Sequence, residues 1–267
     1  MLQQTQASRV QEKLPPFLRR FRSLRSLGGA STADVVRAWR GLGYNNRAVR
    51  LRDSARTILE RHRGIIPRTV DELLRLPGIG KYTAHALCCF AYGKRVPVAD
   101  VNVRRVLSRI FWKVRDFEDL KPWEDIWPLA ERILPRDAYA WNQSLMELGA
   151  TVCTARRPQC DSCPVTGQCS SSGLRARSLR VMPPASRSRR EPMYQGKPRR
   201  EWRGRIVEIL RNGRGPLPLR SVGRLIKHDF SPDEVPWLAT LLEALRRDGI
   251  LRKSGEGRVM QVELARE

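Results

Sequence analysis

The sequence predicts an all-α fold followed by a small α+β domain. Between residues 32 and 148, apolar residues recur at helical spacing, and Gly and Pro residues interrupt this pattern at short intervals. After residue 200, three further helical segments precede an alternating segment, Ile250 to Leu264, that turns at Gly-Glu-Gly. Three helices and a hairpin in this order predict a winged-helix-like domain at the end of the chain.

The charge balance indicates the kind of partner. The chain of 267 residues carries 51 Lys and Arg against 27 Asp and Glu, a formal net charge of +24. A charge of this size favours salt-sensitive binding to a polyanion over a merely soluble basic surface. No apolar run approaches the roughly 18 to 20 residues of a membrane span, and the polar start MLQQTQASR does not resemble a signal peptide. We therefore expect an intracellular, cytoplasmic protein that does not associate with a membrane.

A stretch near the middle of the chain has the clearest local pattern. One helical segment ends at the turn LPGIG, which begins at Leu76, and a second runs from Lys81 to Ala91. Backbone N–H groups at the start of a helix after such a turn can bind a phosphate oxygen. Further on, Asp100 precedes a helical pattern from Val101 to Phe111. An Asp in this position is held ionised by the helix dipole, and its commonest role is simply to cap the helix.

Four of the six cysteines form one run, Cys153-x6-Cys160-x2-Cys163-x5-Cys169. In an intracellular protein, such a run predicts a metal site rather than disulfides. Four thiolates can hold a zinc ion or a [4Fe–4S] cluster, and the presence of a single C-x2-C pair makes zinc the weaker alternative.

Together these motifs resemble the HhH-GPD superfamily of DNA glycosylases, and within it the MutY-type A/G-specific adenine glycosylases. LPGIGKYTA resembles the helix–hairpin–helix of that superfamily, and VPVADVNVRRV resembles its Gly/Pro-rich loop with the catalytic aspartate. MLQQTQ at Met1, GLGYNNRA at Gly41 and the cysteine run support the same family. The resemblance covers residues 1 to about 170 and implies the HhH-GPD glycosylase fold with a [4Fe–4S] cluster loop.

The resemblance implies base excision repair of double-stranded DNA that contains a mismatch or an oxidised base. The enzyme would flip a nucleotide out of the duplex and hydrolyse the N-glycosidic bond of an adenine opposite guanine or 8-oxoguanine. Asp100 would stabilise the oxocarbenium-like transition state, with Asn102 near the sugar. Tyr82 stands where strand-cutting relatives place a Schiff-base lysine, so the resemblance implies a monofunctional enzyme without lyase activity.

The resemblance also implies a set of DNA contacts. Gln3 and Gln4 match glutamines that reach into the duplex, and Tyr44 matches a tyrosine that wedges the base stack open. Phosphate contacts are expected from the helix–hairpin–helix turn and from the first gap of the cysteine run, at Gly78, Gly80, Lys81, Arg156 and Arg157. The ligands of the [4Fe–4S] cluster would be Cys153, Cys160, Cys163 and Cys169, and the cluster would brace the basic loop against DNA.

Three departures from the family keep alternatives open. The family's catalytic glutamate lies two residues before the methionine of MLQQTQ, where this sequence begins. We therefore expect either a longer natural chain or a protein without this general acid, which would be a non-catalytic DNA-binding protein. Val101 replaces the usual glycine and leaves thymine or uracil opposite guanine as an alternative substrate. The residues after 200 do not resemble the family's 8-oxoguanine-reading domain.

We predict three parts of the chain. Residues 1–169 form the glycosylase domain with its cluster loop at 153–169, residues 170–200 a basic flexible linker, and residues 201–267 the winged-helix-like domain. The linker holds nine basic residues and one acidic residue, which predicts an electrostatic grip on DNA. The third helix of the last domain, Pro232 to Asp248, is a candidate groove reader, with a protein-contact module as the equal alternative. We expect a monomer.

Overall fold

The computed structural model describes residues 1–114, 116–172, 191–213, 215–255 and 260–266. The helices are α1 (Ala7–Arg20), α2 (Leu24–Gly28), α3 (Thr32–Ala38), α4 (Asn46–Arg61), α5 (Val70–Leu74), α6 (Lys81–Ala86), α7 (Val101–Trp112), α8 (Trp123–Arg132), α9 (Ala138–Glu147), α10 (Arg199–Asn212), α11 (Leu219–Ile226) and α12 (Val235–Arg247). The strands are β1 (Met193–Tyr194), β2 (Lys197–Pro198), β3 (Leu217–Pro218), β4 (Leu251–Ser254) and β5 (Gln261–Leu264). No helix of these described residues is long and apolar enough to cross a bilayer.

The chain forms two compact units. The first contains the described residues of 1–66, 76–78 and 191–266, and the second contains those of 67–75 and 79–172. In the first unit, α1 to α4 pack around Phe17 and Trp39, whose rings meet edge to face with centroids 5.8 Å apart. The Trp39 indole N–H donates to the carbonyl of Gly43 at 3.0 Å, which ties the turn between α3 and α4 to this core.

The C-terminal elements of the first unit have the order predicted for a winged helix. In chain order the elements are α10, β3, α11, α12, β4 and β5. The three strands form an antiparallel sheet in which β5 lies between β3 and β4. Leu217 pairs with Val262, and Leu251 pairs with Leu264. Ser231 forms a capping box with Glu234 in a 3₁₀ turn, Pro232–Glu234, so α12 begins three residues after the predicted start at Pro232.

The compact units do not follow the predicted division at residues 169 and 201. The core of the C-terminal elements continues into α3 and α4 through Ala33, Val36 and Val49, which pack with residues such as Ile206 and Leu238. Burial of apolar surface therefore joins the N-terminal helices to the C-terminal domain, a long-range relation that sequence periodicity cannot reveal. The three-part division stays a prediction about the sequence, and the structure divides the same residues differently.

The predicted linker, 170–200, lies partly outside the described residues, which omit 173–190. Its last residues have regular structure, because β1 and β2 form a short antiparallel hairpin in which Tyr194 pairs with Lys197. Helix α10 begins at Arg199, two residues before the predicted start of the domain. The boundary between linker and domain therefore lies earlier than the sequence pattern indicates.

The second unit contains α5 to α9. Its main core joins α7, α8 and α9 through side chains such as Val103, Ile126 and Leu145. Helices α6 and α9 each continue into a π-helical segment, Leu87–Ala91 and Leu148–Val152 respectively. The second of these segments packs against α7, the helix that begins beside Asp100.

A buried amide fixes the chain segment that leads to Asp100. Asn142 of α9 is 1% exposed, and its Oδ1 accepts from the backbone N–H of Val98 at 2.9 Å. Its Nδ2 donates to the carbonyl of Val96 at 3.0 Å. Because both backbone groups are satisfied by one side chain, the extended segment before α7 is held in a single position.

Candidate active site and cluster loop

Asp100 is the N-cap of α7, and its carboxylate receives three hydrogen bonds. Oδ1 accepts from the backbone N–H groups of Asn102 and Val103, each at 2.8 Å, and Oδ2 accepts from the side-chain amide of Asn102 at 3.0 Å. The capping role and the proposed catalytic role are therefore compatible, because the same bonds that cap the helix also orient the carboxylate.

A chain of hydrogen bonds leads from this carboxylate to the cysteine loop. Asn102 accepts at Oδ1 from the guanidinium of Arg105 at 3.0 Å. Arg105 also donates to the carbonyl of Gly149 at 2.6 Å and to that of Cys153 at 2.9 Å. Burial lowers the pKa of Arg105, and these carbonyl acceptors compensate for the water that its guanidinium has lost.

Gly149 lets the π-helical segment approach α7 closely. A Cβ atom at Gly149 would lie 2.7 Å from the Cβ of Asn102 and 3.3 Å from its backbone. Real Cβ atoms essentially never come so close, so only glycine fits without a shift. The position of Asn102, and through it that of Asp100, depends on this contact.

Tyr82 lies on α6 in the same unit as Asp100 and is 37% exposed. Burial raises the pKa of its phenol, and the negative charge of Asp100 raises it further. Tyr82 is therefore a neutral phenol at physiological pH, and it can donate a hydrogen bond.

The helix–hairpin–helix turn has the backbone geometry that the sequence predicts. Gly78 adopts φ +78°, and a Cβ atom there would lie 2.8 Å from the Cβ of Arg50. Gly80 is the N-cap of α6, and no side chain caps this helix start. Lys81 is exposed, with its ammonium 4.4 Å from the centroid of the Trp127 ring. The proposed phosphate contacts of Gly78, Gly80 and Lys81 remain predictions.

The predicted wedge residues lie in the first unit and share a backbone feature. Gln4 has φ 55° and Tyr44 has φ 44°, the left-handed region that non-glycine residues seldom adopt. Tyr44 is 54% exposed, as a residue that inserts into DNA must be before it binds. Gly41 and Gly43, with φ 85° and 67°, form the tight turn that presents the tyrosine.

Arg47 connects the segment of the two glutamines to the turn of Tyr44. Its guanidinium donates to the carbonyls of Met1 and Gln3 on one side and to that of Leu42, at 2.8 Å, on the other. It also lies 5.6 Å from the centroid of the Tyr44 ring. Arg47 was not predicted as a site residue, because its partners are distant in the chain.

The four cysteines of the run are half-buried and lie together in the second unit. Burial raises the pKa of the Cys160 thiol, and the neighbouring Cys153, Cys169 and Cys163 raise it further. No three ligand side chains of the described residues converge as they would around a single ion. A four-iron cluster holds its thiolates at separate corners and does not require such convergence. The donor set therefore fits an iron–sulfur cluster.

Arg109 of α7 holds the start of this loop. It donates to the sulfur of Cys153 at 3.4 Å and to the carbonyls of Thr154 and Ala155 at 2.8 and 3.1 Å. The adjacent Arg156 and Arg157 are exposed. An N–H group directed at a cluster ligand stabilises the negative charge on that sulfur.

Arg105 and Arg109 were not predicted as site residues, although the sequence contains a signal for them. They lie four residues apart, on one face of a helix that is otherwise largely apolar, and both are under 10% exposed. Buried arginines need acceptors, so this pattern could have indicated an internal hydrogen-bonding role. Gly149 offers no comparable signal.

Comparisons with known proteins agree with this geometry. Residues 1–122 match the model of the HhH-GPD superfamily base excision DNA repair protein, and residues 153–169 match the iron-sulfur binding domain of endonuclease III. The predicted fold and the predicted [4Fe–4S] ligand loop are thereby confirmed.

Individual relatives place the chain more closely. It is 37% identical over 266 residues to an adenine DNA glycosylase of Mycolicibacterium smegmatis, covering 97% of this chain and 83% of that protein. It is 40% identical over 171 residues to the adenine DNA glycosylase of Homo sapiens, covering 63% of this chain and 31% of that protein. A solved thermostable thymine-DNA glycosylase matches with a TM-score of 0.60 and 29% identity, covering 65% of this chain and 81% of that one. The extent of the first match shows that the chain belongs to the adenine DNA glycosylase family of the HhH-GPD superfamily.

Proposed function

We propose that this protein hydrolyses the N-glycosidic bond of a flipped-out adenine that lies opposite guanine or 8-oxoguanine in double-stranded DNA. The observation that carries the proposal is the carboxylate of Asp100, which three hydrogen bonds orient at the start of α7. The names of the relatives indicate adenine as the excised base, and the helix–hairpin–helix turn offers backbone N–H groups to phosphates. We further propose that the enzyme acts as a monomer on nucleoid DNA inside the cell.

Asp100 acts on the charge that develops when the bond to the base breaks. The sugar then carries positive charge, and a fixed carboxylate stabilises that charge more than it stabilises the neutral substrate. Asn102 keeps the carboxylate in one orientation, so little reorganisation is needed during the reaction. The leaving base must receive a proton from a second group.

Tyr82 supports a monofunctional reaction. A phenol whose pKa is raised stays neutral and has no amine with which to form a Schiff base. Water completes the reaction at the sugar carbon, and the product is an abasic site in an intact strand. Strand scission therefore requires a separate treatment with alkali.

The cysteine loop would hold a [4Fe–4S] cluster through Cys153, Cys160, Cys163 and Cys169. The bound cluster would anchor the loop, on which Arg156 and Arg157 are exposed and could contact phosphates. Protein purified under anaerobic conditions should be brown, with a visible absorbance band. Colourless protein with stoichiometric zinc would contradict this assignment.

A second substrate is supported by a specific observation. The solved relative at 29% identity is named a thymine-DNA glycosylase, and Val101, next to Asp100, is 59% exposed. A side chain in that position can contact the flipped nucleotide and alter the choice of base. Thymine or uracil opposite guanine is therefore the alternative substrate.

The test is base excision from end-labelled duplexes under single-turnover conditions. Adenine opposite 8-oxoguanine and opposite guanine should be excised, and the strand should break only after alkali. The Asp100→Asn variant should bind the same duplex and lose about 100-fold or more of the rate. Preferred excision of thymine or uracil would establish the alternative substrate. Binding of the duplex without any abasic product would establish a non-catalytic binding protein. Strand scission without alkali would contradict the role of Tyr82.

A further inference from the structure

We propose that the winged-helix-like domain positions the turn that presents Tyr44, through Arg211 and Glu208 of α10. The proposal rests on the proposed function, because it takes Tyr44 as the residue that opens the base stack. We call residues 40–45 the Tyr44 turn. All of the contacts described below lie within the first compact unit.

Arg211 is a buried arginine that binds the chain before the Tyr44 turn and the last residue of the turn. Its side chain is 8% exposed. Its Nε donates to the carbonyl of Val36 in α3 at 3.0 Å, and its Nη2 donates to Oδ1 of Asn45 at 2.6 Å. Burial lowers the pKa of Arg211, and Glu208, 3.3 Å away, acts in the opposite direction.

Glu208 completes the arrangement at the first residue of the turn. One of its carboxylate oxygens pairs with Arg211, and the other pairs with Arg40. Glu208 and Arg211 lie three residues apart, on one face of α10. Two side chains of one helix therefore hold residues 40 and 45, the two ends of the Tyr44 turn.

The local preferences of the turn are overridden in a way that fits this role. Asn45 is the N-cap of α4, and asparagine is a strongly preferred residue for capping. Its side chain caps no N–H group of α4, and its Oδ1 accepts from Arg211 instead. Tyr44, the preceding residue, keeps a left-handed backbone that persists only when surrounding contacts determine it.

The same domain is fixed to α3 and α4 by backbone and apolar contacts. The N–H group of Ala33, at the start of α3, donates to the carbonyl of Ala265 at 2.8 Å. Val36 and Val49 are buried in one core with Leu210 of α10. Because packed cores transmit displacement, the position of α10 determines that of the Tyr44 turn.

The charges just before α12 favour this role over that of a groove reader. A recognition helix contacts DNA with its N-terminal residues, and here those residues are preceded by Asp233 and Glu234. Glu234 is occupied inside the domain, where it binds Lys227 at 2.8 Å and the phenol of Tyr194. Acidic residues at that end repel phosphates, whereas the contacts to the Tyr44 turn are already present without DNA.

The test compares Arg211→Gln with Arg246→Gln, a matched change in an exposed ion pair of α12. Hydrogen exchange of residues 40–47 is measured without DNA. Opening of the base stack is then measured by the fluorescence of 2-aminopurine placed beside the mismatch. The Arg211 variant should exchange about fivefold faster in this segment, and the fluorescence rise should fall to about half or less, with the control unchanged. Unaltered exchange and fluorescence in the Arg211 variant would overturn the inference.

Substitutions of Asn45 separate loss of the contact with Arg211 from general damage to the fold. Asn45→Leu removes the acceptor at the other end, and Asn45→Asp keeps an acceptor facing Arg211. Asn45→Leu should change exchange and fluorescence as Arg211→Gln does. A variant with both Asn45→Leu and Arg211→Gln should be affected no more than either single variant, and Asn45→Asp should keep the wild-type exchange and fluorescence. Additive effects would overturn the inference. If the wild-type protein excises no base, the proposed function fails, while the exchange experiment still decides whether α10 holds the turn.

Discussion

The side-chain amide of Asn102 donates to Oδ2 of Asp100 at 3.0 Å, so a neutral neighbour two residues away determines where the carboxylate points. The carbonyl of the same amide accepts from Arg105 at 3.0 Å. Asn102 is therefore held from both ends, and its amide cannot rotate without losing one bond. The orientation of the Asp100 carboxylate therefore depends on Asn102.

Replacement of Asn102 by Ala should slow excision without weakening DNA binding. Asp100 would keep its two backbone donors and lose the donor on Oδ2, and misplacement of a reacting group by about 1 Å costs up to about 100-fold in rate. We expect a decrease of about 10- to 100-fold in the single-turnover rate, measured on the duplex with adenine opposite 8-oxoguanine.

The control for this change is Asn212→Ala, which alters an exposed asparagine at the end of α10. It should leave both rate and affinity unchanged. An unchanged rate in the Asn102 variant would show that the backbone bonds alone orient Asp100. A large loss of affinity would show instead that Asn102 acts by binding DNA.

Replacement of Gly149 by Ala should disturb the same residue from the opposite side. The new methyl group would lie 2.7 Å from the Cβ of Asn102, so either α7 or the π-helical segment must move. Overpacking of this kind costs about 1–3 kcal/mol, which should appear as a Tm several degrees lower and as slower excision.

Gly167→Ala is the matched control, because nothing lies within 4 Å of a Cβ atom at that glycine. Its Tm should equal that of the wild type. Equal melting of the two alanine variants would mean that the segment around Gly149 yields freely and does not position Asn102.

The sequence predicted those parts of the structure that depend on neighbouring residues. Asp100 caps α7 as its local pattern indicates, because a cap needs only the next three residues. Arg47 and Arg211 were missed as internal contacts, because their acceptors lie up to 46 and 175 residues away. The high positive charge predicted phosphate contacts for arginines in general, whereas these two are directed at carbonyl and amide oxygens inside the protein.

The C-terminal domain should lose stability in acid, because protonation of Glu234 removes the contribution of its carboxylate. Its carboxylate accepts from Lys227 and from Tyr194, and these bonds, led by that of Lys227, lower its pKa from 4.5 to about 2. A carboxyl group whose pKa is lowered in the folded state stabilises the fold fully above its unfolded pKa. That contribution is lost as the pH falls from 4.5 towards 2.

The measurement compares hydrogen exchange of residues 235–247 in the wild type and in Glu234→Gln. At neutral pH the variant should be less protected, and the difference should shrink as the pH falls through the window between 4.5 and about 2. Loss of other structures in acid affects both proteins, so the difference between them is the relevant quantity. A difference that stays constant over this window would mean that ionisation of Glu234 does not contribute to stability.

Arg156 and Arg157 should contribute to DNA binding through phosphates and not through the chemistry. Both are exposed, and the loop is fixed from within because Thr154 donates to the carbonyl of Arg157 at 2.6 Å. Replacing both by Ala should lower the slope of log affinity against log salt by up to about 1.8, since each phosphate contact contributes about 0.9. The excision rate at saturating protein and the visible absorbance should be unchanged. Arg266→Ala, which removes an exposed arginine paired with Glu263, serves as the comparison. If the double variant keeps the wild-type salt slope, the two arginines do not contact phosphates.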